Sequence, residues 1–194
     1  MSIEILKNEF FKTHALPDMN VNPNYGVVKL QTNRADLVTA RIEISSGVGE
    51  EETANVNNMV SGIRKVSMWR IPSTSKIAGL FHKFTIDVNK IFNYKISAIQ
   101  DIQYLEYTQG DYYKPHSDIN CEIGSTRKIS FSWVIDDDFE GGDLKINYGG
   151  EEQTLDTTNN PVWAFTSFMT HEVTPITRVK RTVLGCWVSG ESWR

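Results

Sequence analysis

Two histidines and one aspartate in this 194-residue chain are spaced so that they could act together. His116 and Asp118 stand two residues apart in Tyr112-Tyr113-Lys114-Pro115-His116-Ser117-Asp118. Positions i and i+2 of a strand face the same side of the sheet, so an imidazole and a carboxylate can there share one ligand. A second imidazole, His171, lies in another strand-like piece, Phe168-Met169-Thr170-His171-Glu172-Val173. Two neutral imidazoles and a carboxylate hold a metal on one face and leave its other face open. That donor set suits oxidative chemistry on non-haem Fe(II), and it also suits hydrolysis on zinc. Spacing alone leaves both open. The remaining histidines, His14 and His82, have no such companion; His82 falls on a helical pattern where a solvent-facing role is expected.

The residue that narrows the chemistry is Arg181, in Arg178-Val179-Lys180-Arg181-Thr182-Val183-Leu184-Gly185-Cys186-Trp187. Strand alternation puts Arg181, Val183, Gly185 and Trp187 on one face. An arginine facing a protein interior is costly unless it meets an anion, and its planar fork matches a carboxylate. A dicarboxylic cosubstrate held by the metal at one end would present its other carboxylate to such a group. The competing reading is a basic surface turn around Arg178, Lys180 and Arg181; the nearby triad favours the buried one. By residue type alone, Tyr107 and Tyr113 read as core aromatics and Arg127 as a surface charge beside Lys128. Phe131, Trp133 and Trp187 are expected to wall off water if they face the metal.

Positioning these groups falls to a chain with 40% apolar, 11% aromatic and 23% charged residues, which excludes a disordered, collagen-like or coiled-coil protein. Net charge is −4, with no Lys/Arg cluster to track a phosphate backbone, so nucleic acid is not expected as a partner. With only Cys121 and Cys186, no secretory leader pattern and no apolar run of about 20 residues, a cytoplasmic location without membrane contact is expected. A Ser73-Thr74-Ser75 start and apolar residues at helical spacing predict a helix over 76–92. Beyond it, short β-branched and aromatic segments predict eight strands, at 94–99, 101–107, 112–118, 128–136, 143–148, 161–166, 170–173 and 181–188. Segments 27–30 and 34–44 read equally as strand or helix. The Gly/Glu/Asn-rich stretch 47–58 reads as a solvated loop or a lid, and Asp136-Asp137-Asp138 as a solvated turn. The expected fold is α+β, a double-stranded β-helix (jelly-roll) core with supporting N-terminal helices. One domain over 1–194 is expected, 1–93 giving helical support and N-terminal strands and 94–194 the β-barrel core with the site.

With His116-Ser117-Asp118, His171 and Arg181 in this order and spacing, the sequence resembles the 2-oxoglutarate and Fe(II)-dependent dioxygenases, in their prolyl 4-hydroxylase-like branch. Tyr107 in Tyr-x-x-Gly, the Gly141-Gly142-Asp143 turn and Trp187 add to the resemblance. It implies His116, Asp118 and His171 as catalytic metal ligands, Arg181 and Tyr107 as cosubstrate-binding residues, and Tyr113, Arg127 and Trp187 as substrate-binding residues. It further implies Fe(II), 2-oxoglutarate and dioxygen, allows ascorbate beside them, and makes the protein a hydroxylase of an unactivated C–H bond. Peptidyl proline leads as substrate. A free amino acid or other small metabolite, or a non-catalytic metal- or ligand-binding sensor, stands as the alternative. Arg181 stands where collagen-type relatives carry lysine, and Ser189 where some peptide-hydroxylating relatives carry histidine, so the substrate stays open.

Overall fold

The computed structural model describes residues 19–22, 26–47, 50–52, 62–119, 126–136, 138–148 and 150–193. Before the second helix come strands β1 (Met19–Asn22), β2 (Val27–Leu30), β3 (Glu50–Glu52), β4 (Arg64–Lys65) and β5 (Ser67–Arg70). Helices are α1 (Arg34–Ser45) and α2 (Lys76–Phe92). After α2 follow β6 (Ile96–Tyr107), β7 (Tyr112–His116), β8 (Arg127–Val134), β9 (Glu140–Gly141) and β10 (Leu144–Tyr148). The chain continues through β11 (Glu151–Thr154), β12 (Val162–Thr166), β13 (Thr170–Val173), β14 (Ile176–Arg178) and β15 (Arg181–Gly190).

The expected helix over 76–92 is α2. Ser75 caps it by accepting from the Ala78 N–H, and it ends at Asn93 in the left-handed region, φ 51°. Its buried stripe, Ile77, Ala78, Phe81, Phe84, Thr85 and Val88, faces the larger sheet. The ambiguous 34–44 segment is helix, started by Asn33 accepting from Asp36 N–H, and 27–30 is strand. The two helices are tied end to side: Glu43 of α1 accepts the Lys76 and Ile77 N–H groups at 2.8 and 2.7 Å. A carboxylate at a helix N-terminus satisfies donors that the helix cannot.

An eight-stranded sheet runs β1-β2-β12-β8-β15-β6-β5-β3, a five-stranded sheet runs β11-β10-β13-β7-β4, and β14 pairs with β9. Neighbouring strands are antiparallel throughout the described residues. At β8, β12 and β15 the larger sheet is buried on both faces. Toward the helices, Phe131, Trp133, Leu184 and Val188 pack on Phe81 and Phe84; toward the smaller sheet, Leu105, Val183 and Phe165 pack on Leu144 and Val173. Burial on both faces explains why β8 and β15 read as nearly continuous apolar runs.

That double burial overturns one expectation. The Phe131 and Trp133 rings point away from the metal site and meet Phe81 at centroid distances of 5.7 and 6.3 Å on the helix side; Phe131 still borders the cavity, Trp133 does not. The residues of β8 that alternate with them, Ser130 and Ser132, face the other way. The separate segments 94–99 and 101–107 are one strand, β6, with a register shift opposite Trp187/Val188. Of the 47–58 stretch, Glu50–Glu52 forms β3 against β5, so that part is strand and not loop; 48–49 and 53–58 lie outside the described residues. Asp136 stands partly exposed in the expected turn and accepts from Thr182. His14 and Cys121 lie outside the described residues, and His82 is exposed on α2. Among the described residues, no helix is long and apolar enough to cross a membrane.

Candidate metal and cosubstrate site

Antiparallel pairing of β13 with β7 sets His171 directly opposite His116. The rings lie 4.2 Å apart between centroids, tilted by 55°. Asp118 follows β7, its N–H held by the Ser167 carbonyl at 3.0 Å, and its carboxylate points back between the two imidazoles. His116 Nε2 is 3.7 Å from Asp118 Oδ1 and His171 Nε2 is 3.5 Å from Oδ2. One donor atom from each of the three residues lies within 4.8 Å of the others.

The tautomers are set from behind. His116 Nδ1 is 2.7 Å from the Lys114 carbonyl and His171 Nδ1 is 3.0 Å from that of Met169. A carbonyl only accepts, so each Nδ1 carries a proton, which leaves Nε2 of each ring as the atom that can ligate a metal. Burial, reinforced by His171, pushes His116 down to about 4, which keeps it a neutral ligand. Burial alone would raise Asp118, but His171, His116 and Ser130 outweigh it and hold the carboxyl below the usual range. Ser130 Oγ donates to Asp118 Oδ2 at 2.6 Å and is itself 2.9 Å from Ser167 Oγ. Trp187 Nε1, buried beside this carboxylate, favours its charged form while standing outside hydrogen-bonding geometry.

These donors fit Fe(II). They are two nitrogens and one oxygen with no thiolate, and His116 Nε2 is buried with no hydrogen-bond partner, as a ligand awaiting a metal would be. A donor that holds a ligating carboxylate in this way fixes its orientation, and its loss costs about 10–100-fold in metal affinity. Ser130→Ala is therefore expected to weaken Fe(II) binding by about that factor with the fold intact, as read by anaerobic calorimetry.

Arg181 pairs across the sheet with Tyr107, and both line the cavity that holds the triad, together with Val183, Gly185 and Trp187. The expected strand parity therefore holds. Arg181 is 1% exposed, and its Nε and Nη2 have no hydrogen-bond partner. Its guanidinium lies 5.5 Å from the Tyr107 ring centre and 5.6 Å from that of Phe139, aromatic faces rather than anions. Burial pulls it down to about 10, which Tyr107 and Asp143 offset only in part. A fully buried, orphaned guanidinium is costly, and a carboxylate ligand removes that cost. The Gly141-Gly142 turn makes room for it: Gly142 has φ +65°, and a Cβ there would come within 2.3 Å of Ile176 Cδ1 and 2.8 Å of Arg181 Cδ.

Tyr113 stacks on His116, with centroids 3.5 Å apart and planes 14° apart, so it is part of the site rather than a general core aromatic. Arg127 lies over the Trp187 ring at 4.7 Å and donates from Nε to Gln100 at 3.0 Å; it borders the cavity through that ring rather than lining it. Sequence reasoning missed Ser130 and Arg64. Ser130 had a signal, since Ser130 and Ser132 alternate with Ile129, Phe131 and Trp133 and so mark a polar face. Arg64, in a two-residue strand, had none.

Residues 102–189 match the family model of the 2OG-Fe(II) oxygenase superfamily, a stretch that contains His116, Asp118, His171 and Arg181. That stretch is somewhat under half of the chain, and over it the chain is similar to that superfamily. A PKHD-type hydroxylase from Idiomarina loihiensis is 32% identical over 84 residues, covering 42% of this chain; the match spans only 38% of that relative's length. A Pseudomonas putida prolyl-4-hydroxylase has the same fold, with a TM-score of 0.68 at 20% identity over 86% of this chain and 94% of that one. So does a Trichoplax adhaerens prolyl hydroxylase, solved with a hypoxia inducible factor peptide fragment, at a TM-score of 0.67 and 17% identity over 98% and 94%.

Proposed function

We propose that the chain is a 2-oxoglutarate-dependent Fe(II) hydroxylase of the prolyl 4-hydroxylase type, a single domain over 1–194 built on a double-stranded β-helix, with peptidyl proline as the leading substrate. The observation that carries this reading is the pairing of two unfinished sites in one cavity. His116, Asp118 and His171 offer three donors to a metal, and Arg181 offers a buried fork with no anion. Bound Fe(II), with 2-oxoglutarate and dioxygen, supplies oxidative decarboxylation coupled to hydroxylation of a C–H bond.

The protein's part is placement. His116, Asp118 and His171 fix the metal through Nε2, a carboxylate oxygen and Nε2. Arg181 takes the distal carboxylate of the cosubstrate, and Tyr107 shields that ion pair from water. Gly185 lines the same cavity beside Trp187. Tyr113, Trp187 and Arg127 border the substrate's approach. A hydrolytic zinc centre would leave Arg181 without purpose, which is why the oxidative reading is preferred.

The test is spectroscopic. Anaerobic addition of Fe(II) and 2-oxoglutarate is expected to give a visible charge-transfer band, and admitting air is expected to give succinate. Absence of both would overturn the reading.

A further inference from the structure

One cation in the cavity has no assignment. Arg64 of β4 sits opposite Tyr113 of β7 and lines the same cavity as the triad. Its guanidinium carbon lies 4.8 Å from the Tyr113 ring centre, on a ring whose stacking partner is His116. Outward from the metal position the contacts thus run imidazole, phenol, guanidinium. Arg64 Nε is buried with no partner, and Nη2 reaches only the neutral Gln103 Oε1, at a long 3.5 Å. No carboxylate among the described residues pairs with it. Gln103 is in turn committed to Asp101, donating from Nε2 at 2.7 Å, and Asp101 also faces Arg70 at 3.5 Å. The neighbouring Lys65 is spent on Asp111 at 2.8 Å.

Charge balance shows what this leaves. With a divalent metal bound, its charge and that of Arg181 are cancelled by Asp118 and a dianionic cosubstrate. Arg64 then remains as the uncompensated charge among the lining side chains, half-buried and fixed on an aromatic face. A cation so held is completed by an anion arriving with the substrate. Arg127 has a different standing, because its Nε is already satisfied by Gln100.

We infer that Arg64 is a substrate-selecting residue, which binds a carboxylate carried by the substrate close to the carbon that is hydroxylated. This rests on the hydroxylase reading above. The carboxylate has two sources: the free acid of an amino acid, or an acidic side chain beside the target residue in a peptide. Two acid/amide pairs separate them, L-proline against L-prolinamide, and acetyl-Pro-Glu-amide against acetyl-Pro-Gln-amide.

Binding is measured calorimetrically on the full chain loaded with Zn(II), which has no redox chemistry, and 2-oxoglutarate. At least one acid is expected to bind about tenfold or more tighter than its amide, the scale of one charge-assisted hydrogen bond. Which pair shows the difference identifies the source. Arg64→Gln should erase the difference, Arg127→Gln should keep it, and Arg64→Glu should reverse it toward acetyl-Pro-Lys-amide. A residue that merely props the fold would not produce that reversal. Equal binding within both pairs, including no detectable binding of any of the four, overturns the inference, as does a preference that survives Arg64→Gln. The Fe(II)/2-oxoglutarate band is recorded on the same batch of protein loaded with Fe(II) in place of Zn(II). If it forms, such a failure falls on Arg64 alone; if it is absent, the hydroxylase reading fails and takes this inference with it.

Discussion

Asp118→Ala is expected to give a folded protein that neither retains Fe(II) nor forms succinate. The aspartate is the only anionic donor of the triad, and without it two neutral imidazoles must hold a dication alone. Loss of a group that merely orients a ligand costs about 10–100-fold in metal affinity, so loss of the ligand itself should exceed that. Folding should survive, because the residues around Asp118 keep other partners. Ser130 and Ser167 stay hydrogen-bonded to each other at 2.9 Å, and each imidazole keeps its backbone carbonyl. Removing the carboxylate also relieves the burial cost that opposes its ionisation. The measurement is iron stoichiometry after desalting, with succinate yield and a thermal midpoint on the same sample. Stoichiometric iron with wild-type succinate yield would remove Asp118 from the site.

Much of this site was legible in the sequence because strand periodicity is strict. One face, Arg181 to Trp187, follows from a period of two, whereas Asp118 lies just past β7, which ends at His116 and not at 118, and is aimed by its backbone bond to Ser167. The structure brings both to one cavity, with His171 paired across from His116. Periodicity failed where both faces of a strand are buried. In β8, apolar size suggested that Phe131 and Trp133 face the site, yet the helix side needed those rings and the site needed the small hydroxyl of Ser130. Helix α2 was plain from its stripe, whereas α1 was not, since its apolar Val38 and Ile42 are exposed and blur the pattern. Arg64 could not be found from sequence at all. It is placed by pairing between β4 and β7, a contact between residues nearly 50 apart, and nothing local announces it.

Arg181→Met should raise the 2-oxoglutarate requirement about 30-fold or more, while Lys180→Met should change it little. The two residues are adjacent and equally charged, but Arg181 opens β15 facing the cavity while Lys180, just before the strand, faces solvent. Arg181 is 1% exposed, with Nε and Nη2 unpartnered, whereas Lys180 is exposed and bonds Glu106 at 2.7 Å. Breaking a buried, hydrogen-bonded charge pair costs about 2–5 kcal/mol, which corresponds to roughly 30-fold or more at about 1.4 kcal/mol per decade. An exposed ion pair such as that of Lys180 is worth about 0–1 kcal/mol. Methionine is the chosen replacement because it keeps much of the arginine stem's apolar packing while removing the charge. Stability then gives a second readout with the opposite sign. An orphaned buried guanidinium destabilises the free protein, so Arg181→Met should hold or raise the thermal midpoint in the absence of 2-oxoglutarate. The same variant should lose the upward shift that 2-oxoglutarate gives the wild type, because a ligand stabilises only the state it binds. Fe(II) binding should survive, since none of the three metal donors is touched. If Lys180→Met proves to be the crippled protein and Arg181→Met binds 2-oxoglutarate normally, the inward face of β15 is assigned one residue out of register.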